Sequence, residues 1–233
     1  HRPATRRAKF NALCSAARGV DVVLLQEVHG TTESMMKFLR PLLRNFSAHV
    51  SAHGAADTGS VVTLVSRAAF PPNAAFSDRV FINGRALCTD ISFSGKLVSI
   101  YNIHNHDLPR DGVRQLVADV RGRVAQARGS PQLRSVWVAG DFNFLEKGDG
   151  VFSIARAALE PNTRPATATQ RLFEQGLSEL VDISGQEPTH YNHAALSLSR
   201  LDRIYCSHSG WLLRALRAHA GPIVKPEVAH SRG

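Results

Sequence analysis

Three stretches of this sequence run from apolar, β-branched residues straight into a polar cluster. They are Leu24-Leu25-Gln26-Glu27, Ile100-Tyr101-Asn102-Ile103-His104 and Val138-Ala139-Gly140-Asp141-Phe142-Asn143. A buried strand that ends this way places its last side chains at the mouth of a sheet, where sites are usually built. Between them the three ends supply carboxylates, amides and an imidazole from separate parts of the chain. That is the equipment of metal-assisted hydrolysis. A hard cation such as Mg²⁺ takes one or two carboxylates plus water and substrate phosphate. A carboxylate can activate water, and a histidine can move a proton. Each cluster also has a plain structural reading. One Glu after a strand is ordinarily a solvated strand end, and Gly, Asp and Asn are all turn formers. The combination of three is what points to chemistry.

The elements that must hold these residues follow from periodicity. Residues 4–18 alternate Ala and Leu with Arg and Lys at helical spacing, up to Gly19. Residues 20–25 form a continuous apolar run, expected as a buried strand. Thr31 or Thr32 can cap a helix running to Leu43. Residues 59–65 read as a strand, and 85–93 with 97–103 as a hairpin about Ser94-Gly95-Lys96. Residues 111–128 carry Val113, Leu116, Val117, Val120 and Val124 on one helical face. Residues 135–139 and 201–206 are short strands, 169–180 a helix, and 148–164 a turn-rich stretch. Residues 211–218 fit helix or strand equally. Strands interleave with helices and hairpins throughout. The expected architecture is one α/β domain over residues 1–233, with mixed sheets packed face to face and helices outside.

Four motifs in order resemble the endonuclease/exonuclease/phosphatase superfamily, the DNase I-like enzymes, and within it the retrotransposon and abasic-site endonucleases. They are Asp21-Val22-Val23-Leu24-Leu25-Gln26-Glu27, Gly140-Asp141-Phe142-Asn143, Pro188-Thr189-His190-Tyr191 and Ser199-Arg200-Leu201-Asp202-Arg203-Ile204-Tyr205. The resemblance implies a four-layer α/β sandwich and Mg²⁺-dependent phosphodiester hydrolysis, with Mn²⁺ as a substitute ion. It implies that Glu27 holds the metal and Asp141 orients or activates water. Asn143 steadies the scissile phosphate, and Asp202 supports a catalytic histidine or the metal. His104 sits where family branches place a proton-donating histidine or a tyrosine. Asn102 and Arg200 are expected near the substrate. Two motifs of the family are missing: an early strand ending in asparagine, and a terminal Ser-Asp-His triplet. His230 stands near the place of that last histidine without the preceding aspartate. Both ends of the chain read as cuts, consistent with fusion to further domains such as a reverse transcriptase.

The 233 residues carry a formal net charge of +9, which favours polyanions. Nucleic acid is the expected partner, with Arg6, Arg7, Arg18, Arg110, Arg114 and Arg203 as candidate phosphate contacts. DNA is the expected substrate. An inositol-phosphate phosphatase or a sphingomyelinase-like phosphoesterase shares the same catalytic groups, because loops rather than fold set the substrate. A non-catalytic remnant is the third reading. Cys14, Cys88 and Cys206 are too few and scattered for a disulfide framework or a zinc site. They suggest an intracellular setting, and a DNA substrate would suggest the nucleus. No apolar run approaches the ~20 residues of a membrane span.

Overall fold

The computed structural model describes residues 3–52, 59–130, 133–146, 148–185, 187–192 and 194–207. His230 and the 211–218 stretch lie outside them.

The chain starts with a helix, α1 (Pro3–Ala16), and enters strand β1 (Val22–Val28). Helix α2 (Thr32–Leu39) follows. Thr31 caps it, accepting a hydrogen bond from the Ser34 amide at 3.2 Å. It is shorter than expected because Pro41 cannot continue a helix and disfavours helical geometry before it. The apolar pattern instead passes into a 3₁₀ turn, Leu42–Arg44. Strands β2 (Phe46–Ser51) and β3 (Ser60–Ser66) complete an antiparallel sheet of order β1-β3-β2. On its outer face, Leu13 and Ala17 from the α1 region, with Met35 and Leu39 of α2, pack on Val23, Leu25, Val62 and Leu64.

Strands β4 (Ala75–Ile82), β5 (Ala86–Phe93) and β6 (Lys96–His104) form a meander. Helix α3 (Arg110–Gly129) then crosses over to β7 (Arg134–Asp141), which runs parallel to β6. Later come β8 (Gly150–Ser153), β9 (Ala158–Pro161), α4 (Ala168–Leu177), β10 (Val181–Asp182), β11 (His190–Asn192), β12 (Ser197–Ser199) and β13 (Asp202–Cys206). The main sheet has the order β10-β13-β7-β6-β5-β4, and β11-β12-β8-β9 make a small sheet of their own. The turn-rich 148–164 stretch therefore contains two short strands. Helices α3 and α4 cover the main sheet, with Val113, Leu116, Val120, Val124 and Phe173 packed on Tyr101, Ile103, Val136 and Val138.

The three-stranded and six-stranded sheets meet face to face through Val65, Ile91 and Ile100, with Val22, Leu24, Val98 and Trp137 around them. The result is the expected four layers: helices, sheet, sheet, helices. Toward the end of β6 this interface turns polar, with Asn102 and His104 buried there and Thr63 buried against Asn102. Strands β2 and β4 went unforeseen, as did the short β8, β9, β10, β11 and β12. Strand β2 alternates Phe46, Ala48 and Val50 with Ser47, His49 and Ser51, so no apolar run marks it. Strand β4 is an edge strand, mostly exposed, and edges tolerate the polar residues that weaken a sequence signal. Cys88 and Cys206 are buried. Among the described residues no helix is long and apolar enough to cross a membrane.

Candidate active site

Strand register assembles the site. His104 of β6 pairs with Asp141 of β7, and Asp141 pairs in turn with Asp202 of β13. Residues directly opposite on neighbouring strands point to the same face. Three polar side chains therefore stand side by side at the ends of three adjacent strands, facing the other sheet. A fourth comes from across the sandwich. The pairing of β1 with β3 slips between Leu25 and Val28, and Glu27 there has a left-handed φ of 54°. Its Oε1 lies 3.6 Å from His104 Nε2, and its side chain is 65% exposed. The sequence places these four residues up to 175 positions apart (202 minus 27); the fold brings them together.

The Gly140-Asp141-Phe142-Asn143 turn is pinned from several sides. A Cβ on Gly140 would run into the carbonyl of Ile103, so only glycine lets β7 lie this close to β6. Phe142 is fully buried, edge-on to Phe144, Phe173 and Tyr205. Asn143 is exposed with φ 51°, a region Asn tolerates better than most residues. Its backbone amide donates to Asp141 Oδ1 at 2.8 Å. Asn105 Nδ2 donates to the Phe142 carbonyl at 2.5 Å. Strained backbone at two site residues, Glu27 and Asn143, fits a pattern in which functional positions store strain that their surroundings enforce. Thr189 closes the far side, its hydroxyl accepting the backbone amides of Leu201 and Asp202 at 3.0 and 2.9 Å.

The electrostatics are those of a hole for positive charge. Burial, the neighbouring Asp202 carboxylate and Glu27 push the Asp141 carboxyl up to about 6, against the amide of Asn143. Burial also raises Asp202. His104 goes the other way: burial and then the charge of Arg85 press it down to about 4. Crowded carboxylates facing an open edge repel one another unless a cation sits among them. Among the described residues, no group of three or more His, Cys, Asp or Glu side chains is arranged to enclose a metal ion. Mg²⁺ seldom needs such a cage, because water and phosphate fill most of its shell. Exposed Glu27, with Asp141 and Asp202 beyond it, fits that mode of binding.

Several expected contacts are replaced by structural ones. Asn102 is fully buried. It accepts from Gln26 Nε2 at 2.7 Å and donates to the Val62 carbonyl at 3.0 Å, so it ties the two sheets together rather than facing a substrate. Arg200 is buried as well. Its guanidinium binds Asp149 at 3.1 Å and Asp182 at 2.8 Å and the Gly185 carbonyl at 2.9 Å, so it serves an internal network. Arg203 is wholly buried against Asp149 and the Phe144 carbonyl, not on a nucleic-acid surface. Arg7, Arg18, Arg110 and Arg114 are exposed, though Arg114 is paired with Asp111 at 2.9 Å. Sequence reading did not single out Gly59, Arg85 or Asp149, which carry no motif and act through their neighbours.

Gly59 is the point where β3 backs onto the Glu27 bulge. A Cβ there would lie 2.7 Å from Glu27 Cα. Gly59→Ala is expected to displace Glu27 and cost about 1–3 kcal/mol as an overpacking change. A thermal melt checks this, and if Glu27 holds a divalent ion the variant should need more Mg²⁺ than wild type for the same rise in melting temperature; an unchanged Mg²⁺ response would count against Glu27 as a ligand.

A four-layer sandwich with acids and a histidine at the ends of its central strands defines the DNase I-like class. A family model described as "Endonuclease/Exonuclease/phosphatase family" matches residues 1–224, and the chain belongs to that family. No curated protein matches the sequence. Among solved structures, the AP endonuclease LMAP from Leishmania major is 15% identical with a TM-score of 0.63, covering 87% of this chain and 74% of its own. The endonuclease domain of TRAS1, a telomere-specific non-LTR retrotransposon, is 15% identical with a TM-score of 0.55, covering 86% and 78%. Truncated TDP2 from Caenorhabditis elegans is 16% identical with a TM-score of 0.52, covering 87% and 79%. At these identities the likeness shows the shared fold.

Proposed function

We propose that this chain is a divalent-metal-dependent phosphodiester hydrolase that cuts DNA. The observation that carries the reading is the convergence of Glu27, His104, Asp141 and Asp202, with Asn143 beside them, on one open edge of the sandwich. Glu27, with water, would hold Mg²⁺ or Mn²⁺, and the bound ion supplies charge that draws the phosphate in and eases build-up of negative charge on it. Asp141 takes a proton from the attacking water. A carboxyl raised to about 6 is a better base than an ordinary one and is still ionised at neutral pH. The Asn143 amide, fixed by its turn, donates to a phosphate oxygen as charge develops there. Asp202 stands next to Asp141 and keeps that carboxyl raised. His104 meets the phosphate from the β6 side.

The preference for DNA rests on charge. A net +9 with exposed Arg7, Arg18 and Arg110 supports phosphate-backbone binding, which supplies most non-specific affinity. Supercoiled plasmid incubated with Mg²⁺ is expected to be nicked, and EDTA is expected to stop it. Intact plasmid in both, with phosphate released from inositol phosphates or phosphocholine from sphingomyelin, would move the substrate to the small phosphoesters. Silence on all three would leave a non-catalytic remnant.

A further inference from the structure

Arg85 is the residue just before β5, directly across from the last residue of β6. The His104 amide donates to the Arg85 carbonyl at 2.8 Å, so the two backbones are already tied. The guanidinium folds back over the pair. Its Nη1 lies 2.7 Å from His104 Nδ1 and donates to the Gly59 carbonyl at 3.1 Å. One side chain thus reaches the site histidine and the strand backing the Glu27 bulge.

A guanidinium has five donors and no acceptor. At 2.7 Å the His104 Nδ1 must therefore accept, and the ring proton must sit on Nε2. That nitrogen is buried and has no hydrogen-bond partner among the described residues. Glu27 Oε1, 3.6 Å away, is too distant for a hydrogen bond. A buried donor left open is unusual in a folded protein, and here it points into the gap between His104 and Glu27.

We propose that Arg85 is a positioning residue: it locks the His104 imidazole with its proton on Nε2, so that the ring meets a substrate phosphate oxygen as a standing hydrogen-bond donor. A carboxylate behind Nδ1 would do the reverse. It would hold the proton on Nδ1 and leave Nε2 to accept and release one. With Arg85 in that place the ring keeps its proton throughout, and no group need carry it away or return it. Arg85 is thus a donor acting through another donor, and it does not touch the phosphate itself. This rests on reading the site as a phosphoester hydrolase, but its central claim concerns the ring alone.

The test is a long-range ¹H–¹⁵N correlation spectrum of the labelled full chain, which separates a protonated ring nitrogen from a bare one. His104, assigned by the signal lost in His104→Gln, is expected to show bare Nδ1 and protonated Nε2 at neutral pH. Arg85→Lys, also a pure donor, is expected to keep that tautomer. Arg85→Glu is expected to move the proton to Nδ1 or add one there. In plasmid nicking with Mg²⁺, Arg85→Glu is then expected to lower kcat on the order of 10²-fold, the usual cost of one preorganised donor, with KM little changed, and Arg85→Lys to retain most of kcat. A wild-type ring protonated on Nδ1 would overturn the proposal, as would Arg85→Glu leaving the tautomer unchanged. If Arg85→Glu does not fold, the wild-type and Arg85→Lys spectra decide. The spectra need neither metal nor substrate, so a chain that cuts no plasmid would still show which ring nitrogen carries the proton.

Discussion

Asp141→Asn is expected to remove nearly all hydrolysis while making the metal-free protein more stable. Loss of the base should cost 10²–10⁴-fold, about the range measured for general acid–base groups. The gain in stability follows from what the carboxylate endures. Its folded-state value of about 6 lies above the ordinary 3.8 because of burial and the nearby Asp202. Folding therefore favours the protonated form, and ionisation costs stability as pH rises from about 4 to about 6. A shift of that size corresponds to roughly 3 kcal/mol at neutral pH, and solvent screening in a partly exposed site leaves about 1–2 kcal/mol. Asparagine keeps the shape without the charge. The variant should melt higher than wild type at pH 7.5 in EDTA and level with it near pH 3.5. His104, held down to about 4 by burial and Arg85, runs the other way: it favours the folded state above about 6.5 and less so as pH falls. Its contribution is shared by both proteins, so the difference between their melting curves isolates Asp141. Mg²⁺ should shrink that difference by relieving the same repulsion in wild type. A lower melting point for Asp141→Asn at pH 7.5 would contradict the electrostatic account. Retained nicking would remove Asp141 from the mechanism.

Arg203→Met is expected to cost about 3–5 kcal/mol, the usual effect of removing one partner from a buried ion pair. Arg203 has no exposed side-chain surface, and its partner Asp149 is 8% exposed. The same guanidinium donates to the Phe144 carbonyl at 3.0 Å and stacks over the Phe144 ring at 5.3 Å. Without it, Asp149 keeps Arg200 and the Glu146 amide, and the loop that follows Asn143 loses its anchor to β13. Arg203→Lys should recover part of the loss. An ammonium keeps the charge but cannot span the carboxylate and carbonyl as a planar fork does. Urea unfolding of the three proteins measures the effect. A loss below about 1 kcal/mol would mean that methionine packs well enough to offset the broken pair, as some buried ion pairs allow.

The positions of the site acids were legible because their signals are local. A β-branched run that stops at Glu27 or at Asp141, and a Leu201-Asp202 step into another short strand, mark strand mouths without any knowledge of partners. The alternation of such runs with amphipathic helices was enough for a layered α/β sandwich. Whatever depended on which residues face each other was hidden. Arginine reads as a surface residue, since burying one is costly without a partner, and the partner of Arg200 and Arg203 is an aspartate more than fifty positions upstream. Asn102 looked like a site amide because it precedes His104 by two. Strand β6 does turn both toward the opposite sheet, but only the last position reaches the open edge, so Asn102 bonds β1 and β3 of that sheet instead. Strands β2 and β4 lacked a run because one alternates with polar residues and the other is an edge. Arg85 had no motif at all. Its role exists only because β5 and β6 pair in a register that sets it against His104. Sequence by itself determined the family, the layers and the acids at the strand ends, since each is written in contiguous residues. Tertiary structure alone decided the tautomer of the histidine, the burial of the arginines and the meeting of Glu27 with the opposite sheet, because each depends on pairings that no stretch of chain contains.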